Sequence, residues 1–511
     1  LEFRRVLFRS RGIDIDIHQV KKFKEDEKIK ALIRDGKCMG CFYVESPAMR
    51  MLLKKLRVDQ YIQLVAASSI IRPGVARSGM MREYIVRTHD PAKRLYAHPV
   101  MKTLMEETYG IMVYQEDVIK VAHHFAGLDL SEADVLRRGM SGKFRSREEF
   151  QKIKDTFFNN CNERGYDPKI TDEVWRQIES FAGYSFSKGH SASYAVESYQ
   201  SLYLKAHYPL EFMVGVINNF GGFYHTEFYV HEARMTGATI HPPSVNKSEY
   251  LTIIEGVDIY LGFVHIAGLE YNVATQIAEE RNVNGDYIDL PDFMKRIAIE
   301  LEQLRILIRI GAFHFTERSK KQLLWDIHLH MDGGKKTEVK AELFQVKTPE
   351  YKMPELHHHT LEDAFDEIEI LGFALCSPFN LLKRNFPHLN KQKAPVHYTS
   401  SFVTEPTTVK NIRVKELEKY IGKEVELTGY LVTIKPTRTV KGESMAFGCF
   451  IDEEGFFFDT THFPKIAKQF PFRGRGIYTV RGRVDVEFDF CSITVTYMGK
   501  LETIGVEDLT V

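Results

Sequence analysis

The reading of this chain turns on residues 132 to 209. The stretch opens with Glu132-Ala133-Asp134-Val135-Leu136-Arg137-Arg138-Gly139-Met140. It continues through Phe181-Ala182-Gly183-Tyr184-Ser185-Phe186-Ser187-Lys188-Gly189-His190-Ser191-Ala192. It closes with Tyr199-Gln200-Ser201-Leu202-Tyr203-Leu204-Lys205-Ala206-His207-Tyr208-Pro209. Two adjacent arginines thus follow an apolar helical run, and a Gly/Ser-rich turn then carries Lys188 and His190. Arginine offers phosphate oxygens a planar fork of donors. Glycine and serine let backbone N–H groups come close to an anion. The combination is suited to holding a triphosphate and a base.

Outward from this stretch, bulk properties set the frame. A chain of 511 residues allows several domains. Its 44% hydrophobic and 27% charged residues are those of an ordinary globular protein. The formal net charge is +0, so nucleic-acid contact would have to come from local basic faces. One such face lies at residues 51 to 97, where nine lysines and arginines, Arg72 among them, stand against Asp59, Glu83 and Asp90. Six cysteines make no disulfide framework, which points to a reducing cytoplasm. Cys38-Met39-Gly40-Cys41 has metal-ligand spacing, but no second such pair accompanies it, so core packing is expected. No apolar run is long enough to span a bilayer. Leu1 to Ser10 read like a translated cloning adapter and are set aside, with further coding sequence expected upstream of Arg11.

Along the chain the periodicity changes once. Val100, Leu104 and Met105, then Val118, Val121 and Phe125, recur at helical spacing. Lys143, Arg145 and Arg147 fall in an expected loop, followed by helices carrying Phe157, Phe158 and Trp175. Residues 331 to 360, with Gly333-Gly334, Pro349, Pro354 and the run His357-His358-His359, read as a linker. From 423 to 500 the apolar period becomes two, through Val425, Leu427, Phe447, Cys449, Ile451, Tyr478, Val480, Ile493 and Val495. Five strands with glycine turns predict a small OB-type barrel. Aromatic and basic residues on such a barrel can track single-stranded DNA, although many of the phenylalanines must fill its interior.

The motifs quoted first, in that order, resemble the fingers of bacterial C-family DNA polymerases of the DNA polymerase III alpha type. The resemblance extends to Gly40-Cys41-Phe42-Tyr43-Val44-Glu45-Ser46, to Arg72-Pro73-Gly74, and to Glu107-Thr108-Tyr109-Gly110-Ile111-Met112-Val113-Tyr114-Gln115-Glu116. Leu261 to Leu269 and Leu307 to Phe313 resemble the two halves of that family's tandem helix-hairpin-helix. There Gly268 and Gly311 would bring backbone N–H groups to DNA phosphates. Glu270 stands where the family has glycine, which weakens the first hairpin as a phosphate binder. Lys340-Ala341-Glu342-Leu343-Phe344 resembles the family's sliding-clamp peptide, with Ala341, Leu343 and Phe344 as its anchors and Lys340 in place of the usual Gln.

The resemblance therefore implies a multidomain α+β chain. Its expected parts are the end of a palm at 11 to 37, mostly helical fingers at 38 to 225 and tandem hairpins at 226 to 330. The linker, a connecting segment at 361 to 422 and an OB fold at 423 to 511 follow. It implies nucleotide contacts from Arg137, Arg138, Lys188 and His190, and DNA contacts from Arg72, Lys143, Arg145, Gly268 and Gly311. The implied activity of the whole parent is template-directed DNA synthesis, with primer-template DNA, dNTP, the sliding clamp and other replisome subunits as partners. The implied cofactor is Mg2+, held by palm carboxylates outside this stretch. Asp14 and Asp16 alternate like such a pair, but their flanks do not match and a solvated face is expected. The part in hand would then position substrates without polymerising alone. Two other readings remain open: a non-catalytic DNA-binding scaffold of hairpin and barrel modules, and an error-prone branch of the same family. The paired arginines and the Ser-Lys-Gly-His turn argue against a bare scaffold.

Overall fold

The computed structural model describes residues 14–71, 79–140, 147–180, 187–330, 359–386, 409–439 and 441–509. These form two compact units. The first runs up to Tyr208 and includes the short pieces Thr439–Glu443 and Val486–Cys491; the second begins at Pro209.

The first unit is helical. In order it contains α1 (Val20–Glu25), α2 (Glu27–Arg34), α3 (Pro47–Leu56), α4 (Tyr61–Ile70), α5 (Met80–His89), α6 (Pro99–Met105), α7 (Gln115–Lys120), α8 (Leu130–Met140), α9 (Arg147–Glu163), α10 (Pro168–Ser180) and α11 (Lys188–His207). Local sequence explains most of the starts. Asp26 accepts from the N–H groups of Lys28 and Ile29 ahead of α2, at 2.9 and 3.1 Å. Ser46 caps α3, with Pro47 at its first position. α11 packs on α4 through small residues: Ser191, Ala195 and Ser198 on one helix, Ala66, Ala67, Ser68 and Ser69 on the other, are all buried. The short side chains let the two backbones approach, and the hydroxyls of Ser69 and Ser191 lie 2.6 Å apart. Tyr199 and Leu202 complete the buried face of α11. Asp14 and Asp16 lie exposed in a stretch without regular structure rather than on a strand, and the Asp16 carboxylate accepts from the His18 N–H. Cys38 and Cys41 are buried, as core packing requires.

The second unit begins with α12 (Pro209–Asn218) and α13 (Thr226–Met235). A small sheet follows, made of β1 (Thr239–His241), β2 (Ile253–Glu255) and β3 (Asp258–Tyr260), with β3 in the centre. Next come α14 (Tyr271–Asn284), α15 (Leu290–Arg296), α16 (Leu301–Arg309) and α17 (Lys320–His330). Their apolar faces close over a core containing Ile277, Phe293, Leu304, Leu307 and Phe313. α18 (Glu362–Ile370) adds Ile370 to that core.

The barrel is the last part. After the short β4 (Lys410–Asn411), strands β5 (Glu424–Arg438), β6 (Ser444–Ile451), β7 (Phe457–His462), β8 (Ile477–Glu487) and β9 (Phe490–Lys500) pair in the order β5-β6-β7-β9-β8. The β5–β8 pairing closes the ring. α19 (Pro464–Gln469) lies between β7 and β8 in the chain. Closure removes the sheet edges. Inside, the rings of Phe450 and Phe458 stack with centroids 5.3 Å apart. Gly482 lets β8 lie close against β9, because a Cβ there would come within 2.3 Å of the Thr494 carbonyl oxygen. The OB-type barrel expected from the period-two stretch is therefore present; of its phenylalanines Phe450 and Phe458 are buried, while Phe447 and Phe463 are exposed.

Candidate nucleotide and nucleic-acid interface

Arg137 and Arg138 sit in the last turn of α8. The helix is started by a reciprocal pair: the Asp129 N–H donates to Glu132, and the Glu132 N–H donates to Asp129, at 2.9 and 2.8 Å. One helical turn before the arginines stands Asp134, whose carboxylate receives both. Arg137 Nε lies 2.8 Å from its Oδ1 and Arg138 Nε 3.0 Å from its Oδ2. Arg137 also donates through Nη1 to Gln115 Oε1 at 3.2 Å. Arg138 is the more open of the two, at 46% side-chain exposure against 29%.

Lys188 and His190 occupy a place that sequence spacing did not indicate. They belong to the first turn of α11 rather than to a loop. Ser187 precedes the helix but makes no side-chain cap of its own. The cap comes from Glu116, at the start of α7. Its carboxylate accepts from the Lys188 N–H at 2.9 Å and from the Ser187 hydroxyl at 2.9 Å. A carboxylate at a helix N-terminus satisfies orphan N–H groups and opposes the helix dipole favourably. Burial alone would push the Glu116 carboxyl up. These hydrogen bonds, with a further one from the Gly189 N–H, hold it below the usual carboxylate range. The Lys188 ammonium donates to Glu107 Oε2 at 2.8 Å and lies 5.2 Å from the Tyr114 ring centroid. The His190 ring stacks on Tyr194 at 5.7 Å.

The start of α7 therefore joins the two motifs. Gln115 holds Arg137, and its neighbour Glu116 holds the start of α11. Asp117, next in line, is buried and accepts from the N–H groups of Val113 and Tyr114, both at 2.9 Å. Burial pushes its carboxyl up to about 6, against the pull of those two hydrogen bonds. Gln115, Glu116, Asp117 and Glu107 were not singled out from sequence as site residues. The available signal was Gln115-Glu116-Asp117 directly after an apolar run, where acids favour a helix start.

The two hairpin glycines are left-handed. Gly268 and Gly311 have φ of +83° and +82°, which a side chain would strain. At the first hairpin, Gln303 bridges the turn. Its amide donates to the Gly268 carbonyl, and its carbonyl accepts from the Glu270 N–H, both at 2.8 Å. Around the second hairpin, three cations are drawn to α18. Lys321 pairs with Glu362 at 3.0 Å and Lys320 with Asp363 at 2.7 Å. Arg309 pairs with Asp366 at 2.8 Å and also with Glu369. Beside the barrel, a pocket of about 300 Å³ is lined by Arg384, Asn411, Arg413, Thr428 and Glu453. Both of its arginines are ion-paired to Glu453.

Arg72, Lys143, Arg145, Ala341, Leu343 and Phe344 lie outside the described residues. Among the described residues, no group of three or more His, Cys, Asp or Glu could hold a metal ion. The donor set on these residues does not fit Mg2+. No helix among the described residues is long and apolar enough to cross a membrane.

Comparison with known proteins identifies the family. Residues 3–165 match the family model of the bacterial DNA polymerase III alpha subunit finger domain, and residues 237–323 match a helix-hairpin-helix motif. A DNA polymerase III subunit alpha of Staphylococcus aureus strain MRSA252 is 34% identical over 368 residues, covering 71% of this chain and 34% of that protein. The protein of the same name from Aquifex aeolicus is 31% identical over 451 residues, covering 87% of this chain and 36% of its own length. The chain belongs to the DNA polymerase III alpha-subunit family and spans about a third of the length of the curated relatives it matches.

Proposed function

We propose that this chain positions an incoming deoxynucleoside triphosphate and primer-template DNA for template-directed DNA synthesis. The observation that carries the reading is the Gln115–Glu116 junction. It ties the arginine-bearing end of α8 and the lysine-bearing start of α11 to one short helix. Arg138, the more exposed arginine, and the Lys188 ammonium are the groups that would meet phosphate oxygens. Each would exchange a carboxylate partner, Asp134 or Glu107, for the ligand. Glu116 already fills the N-terminus of α11, so the triphosphate is met by side chains and not by that helix end. Gly268 and Gly311 are proposed to bring the hairpins to DNA backbone. The basic stretch holding Arg72, Lys143 and Arg145 would add phosphate contacts, and Ala341, Leu343 and Phe344 would dock on a sliding clamp. The bond-making step and its Mg2+ belong to the parent activity, for which the relatives are named.

Calorimetric titration of a deoxynucleoside triphosphate into the chain tests the reading. Arg138→Ala should lose about 1.5–3 kcal/mol of binding, the scale of a charge-assisted hydrogen bond. An unchanged affinity would refute the assignment.

A further inference from the structure

The first unit takes in a piece of chain that lies far from it in sequence, Val486–Cys491. This is the turn that joins β8 to β9, and it meets the basic stretch of α3 and α5. Lys55 donates to Glu487 Oε2 at 2.6 Å, and Arg82 Nε lies 3.5 Å from Glu487 Oε1. Arg57, just past the end of α3, pairs with Asp489. The Lys54 and Lys55 ammonium groups lie 5.6 and 5.8 Å from the centre of the Phe490 ring. The Phe488 ring stacks over His89 at 6.3 Å, and His89 is itself pinned by donating from Nε2 to the Lys55 carbonyl at 2.6 Å.

The residues at this contact are not the ones their backbone favours. Phe488 and Asp489 have φ of +51° and +59°, the two left-handed positions of a tight hairpin, where Asn and Gly are usual. Arg57 has φ of +51° at the end of its helix, where glycine is usual. Strain of this kind persists where side chains have a task, and here the strained residues are those that meet across the contact. Burial would raise the Glu487 carboxyl, but hydrogen bonds and attraction from Lys55 and Arg82 hold it below the usual carboxylate range. A carboxylate gripped by an ammonium and a guanidinium stands where a phosphate oxygen would stand. The side chains of Arg57, Arg82, Glu487 and Asp489 are all more than half exposed. Exposed pairs are individually weak, so a row of phosphates can displace them.

We infer that Lys54, Lys55, Arg57 and Arg82 form a face for the phosphates of the DNA backbone, and that the Glu487–Asp489 turn covers this face in the free chain and competes with DNA for it. The inference deepens the DNA-binding reading and rests on it. The acidic turn is a built-in stand-in for the backbone that it yields to.

The test measures binding of fluorescein-labelled primer-template DNA by anisotropy at low salt, in four forms of the chain. These are the wild type, the acid variant Glu487→Gln with Asp489→Asn, the cation variant Lys54→Gln with Arg57→Gln and Arg82→Gln, and the two combined. All five positions are exposed, so the cores are untouched. The acid variant should bind about threefold to tenfold more tightly than the wild type, because the fraction of chains with an open face rises. In the cation variant the same acid changes should gain about twofold or less, since the face they uncover is gone. A smaller gain in the first case, or a larger one in the second, overturns the cover. Long-chain inorganic polyphosphate, titrated by calorimetry into the same four forms, separates the two readings. If it follows this pattern while no form binds primer-template, the DNA reading fails and the cover stands. If primer-template binds every form without the pattern, the cover fails and the DNA reading stands. If neither polyanion binds any form, both fall.

Discussion

The ends of α8 and α16 carry similar equipment and put it to different use. In the first unit Arg137 and Arg138 share one carboxylate, that of Asp134. In the second unit Arg309, Lys320 and Lys321 meet four, those of Glu362, Asp363, Asp366 and Glu369. The first pairing stays within one helix, three and four residues back in the chain; the second ties its cations to a different helix. The difference teaches that a basic motif is not an anion site until its partners are counted. Around the second hairpin the cations of α16 and α17 are engaged within the protein. Coulomb attraction at half-exposed positions is modest, so these pairs can be traded for phosphate only where the balance already favours it.

Four changes probe this contrast, in order of expected size. The largest effect belongs to the hairpin core, which sets the geometry there independently of charge. Phe293 is fully buried between Tyr287 and Phe313, with centroids 4.9 and 5.0 Å away. Phe293→Ala should cost about 3–5 kcal/mol in denaturant unfolding of the second unit. Triphosphate titration should be unaffected if the α8 site is independent of that core.

Next comes Asp117. Its carboxyl is raised to about 6 in the fold from an ordinary 3.8, so between those values the folded protein binds the proton more readily than the unfolded chain. Its contribution to stability is present at low pH and is lost as pH rises through about 6. Asp117→Asn should remove that dependence. The difference in stability between variant and wild type should change by roughly 2–3 kcal/mol across pH 4 to 7, with the wild type losing ground as pH rises. A difference flat with pH would mean that the Asp117 carboxyl is not raised.

Arg138→Ala follows, with the binding loss already given. Its partner test is salt: the wild-type affinity for tripolyphosphate should fall with added salt more steeply than that of the variant. Smallest is the reversal of the hairpin imbalance. Asp366→Asn combined with Glu369→Gln removes two of the four carboxylates around Arg309, Lys320 and Lys321. Duplex DNA should then bind more tightly by about 1 kcal/mol, and the salt slope should steepen by about one to two. If neither changes, the second hairpin does not face DNA.

Much of the architecture was legible in the sequence because it is written locally. The helical spacing of Val118, Val121 and Phe125 and the period-two run from Val425 to Val495 each report a neighbour two to four residues away. The site was legible only in part. Ser187-Lys188-Gly189-His190 looked like a turn because the cap that makes it a helix start, Glu116, is 72 residues earlier. The loss of free charge at the second hairpin was invisible for a similar reason. Arg309 meets Asp366 and Glu369 across 57 and 60 residues, and no local pattern marks that encounter.

The central claim is that the end of α8 and the start of α11 act as one anion-receiving site joined by α7. Amide hydrogen exchange of the chain, with and without saturating tripolyphosphate, tests it most directly. The account predicts that peptides covering residues 130–138 and 187–194 gain protection together, with the same dependence on ligand concentration. Protection of one segment without the other, or of neither, would contradict it.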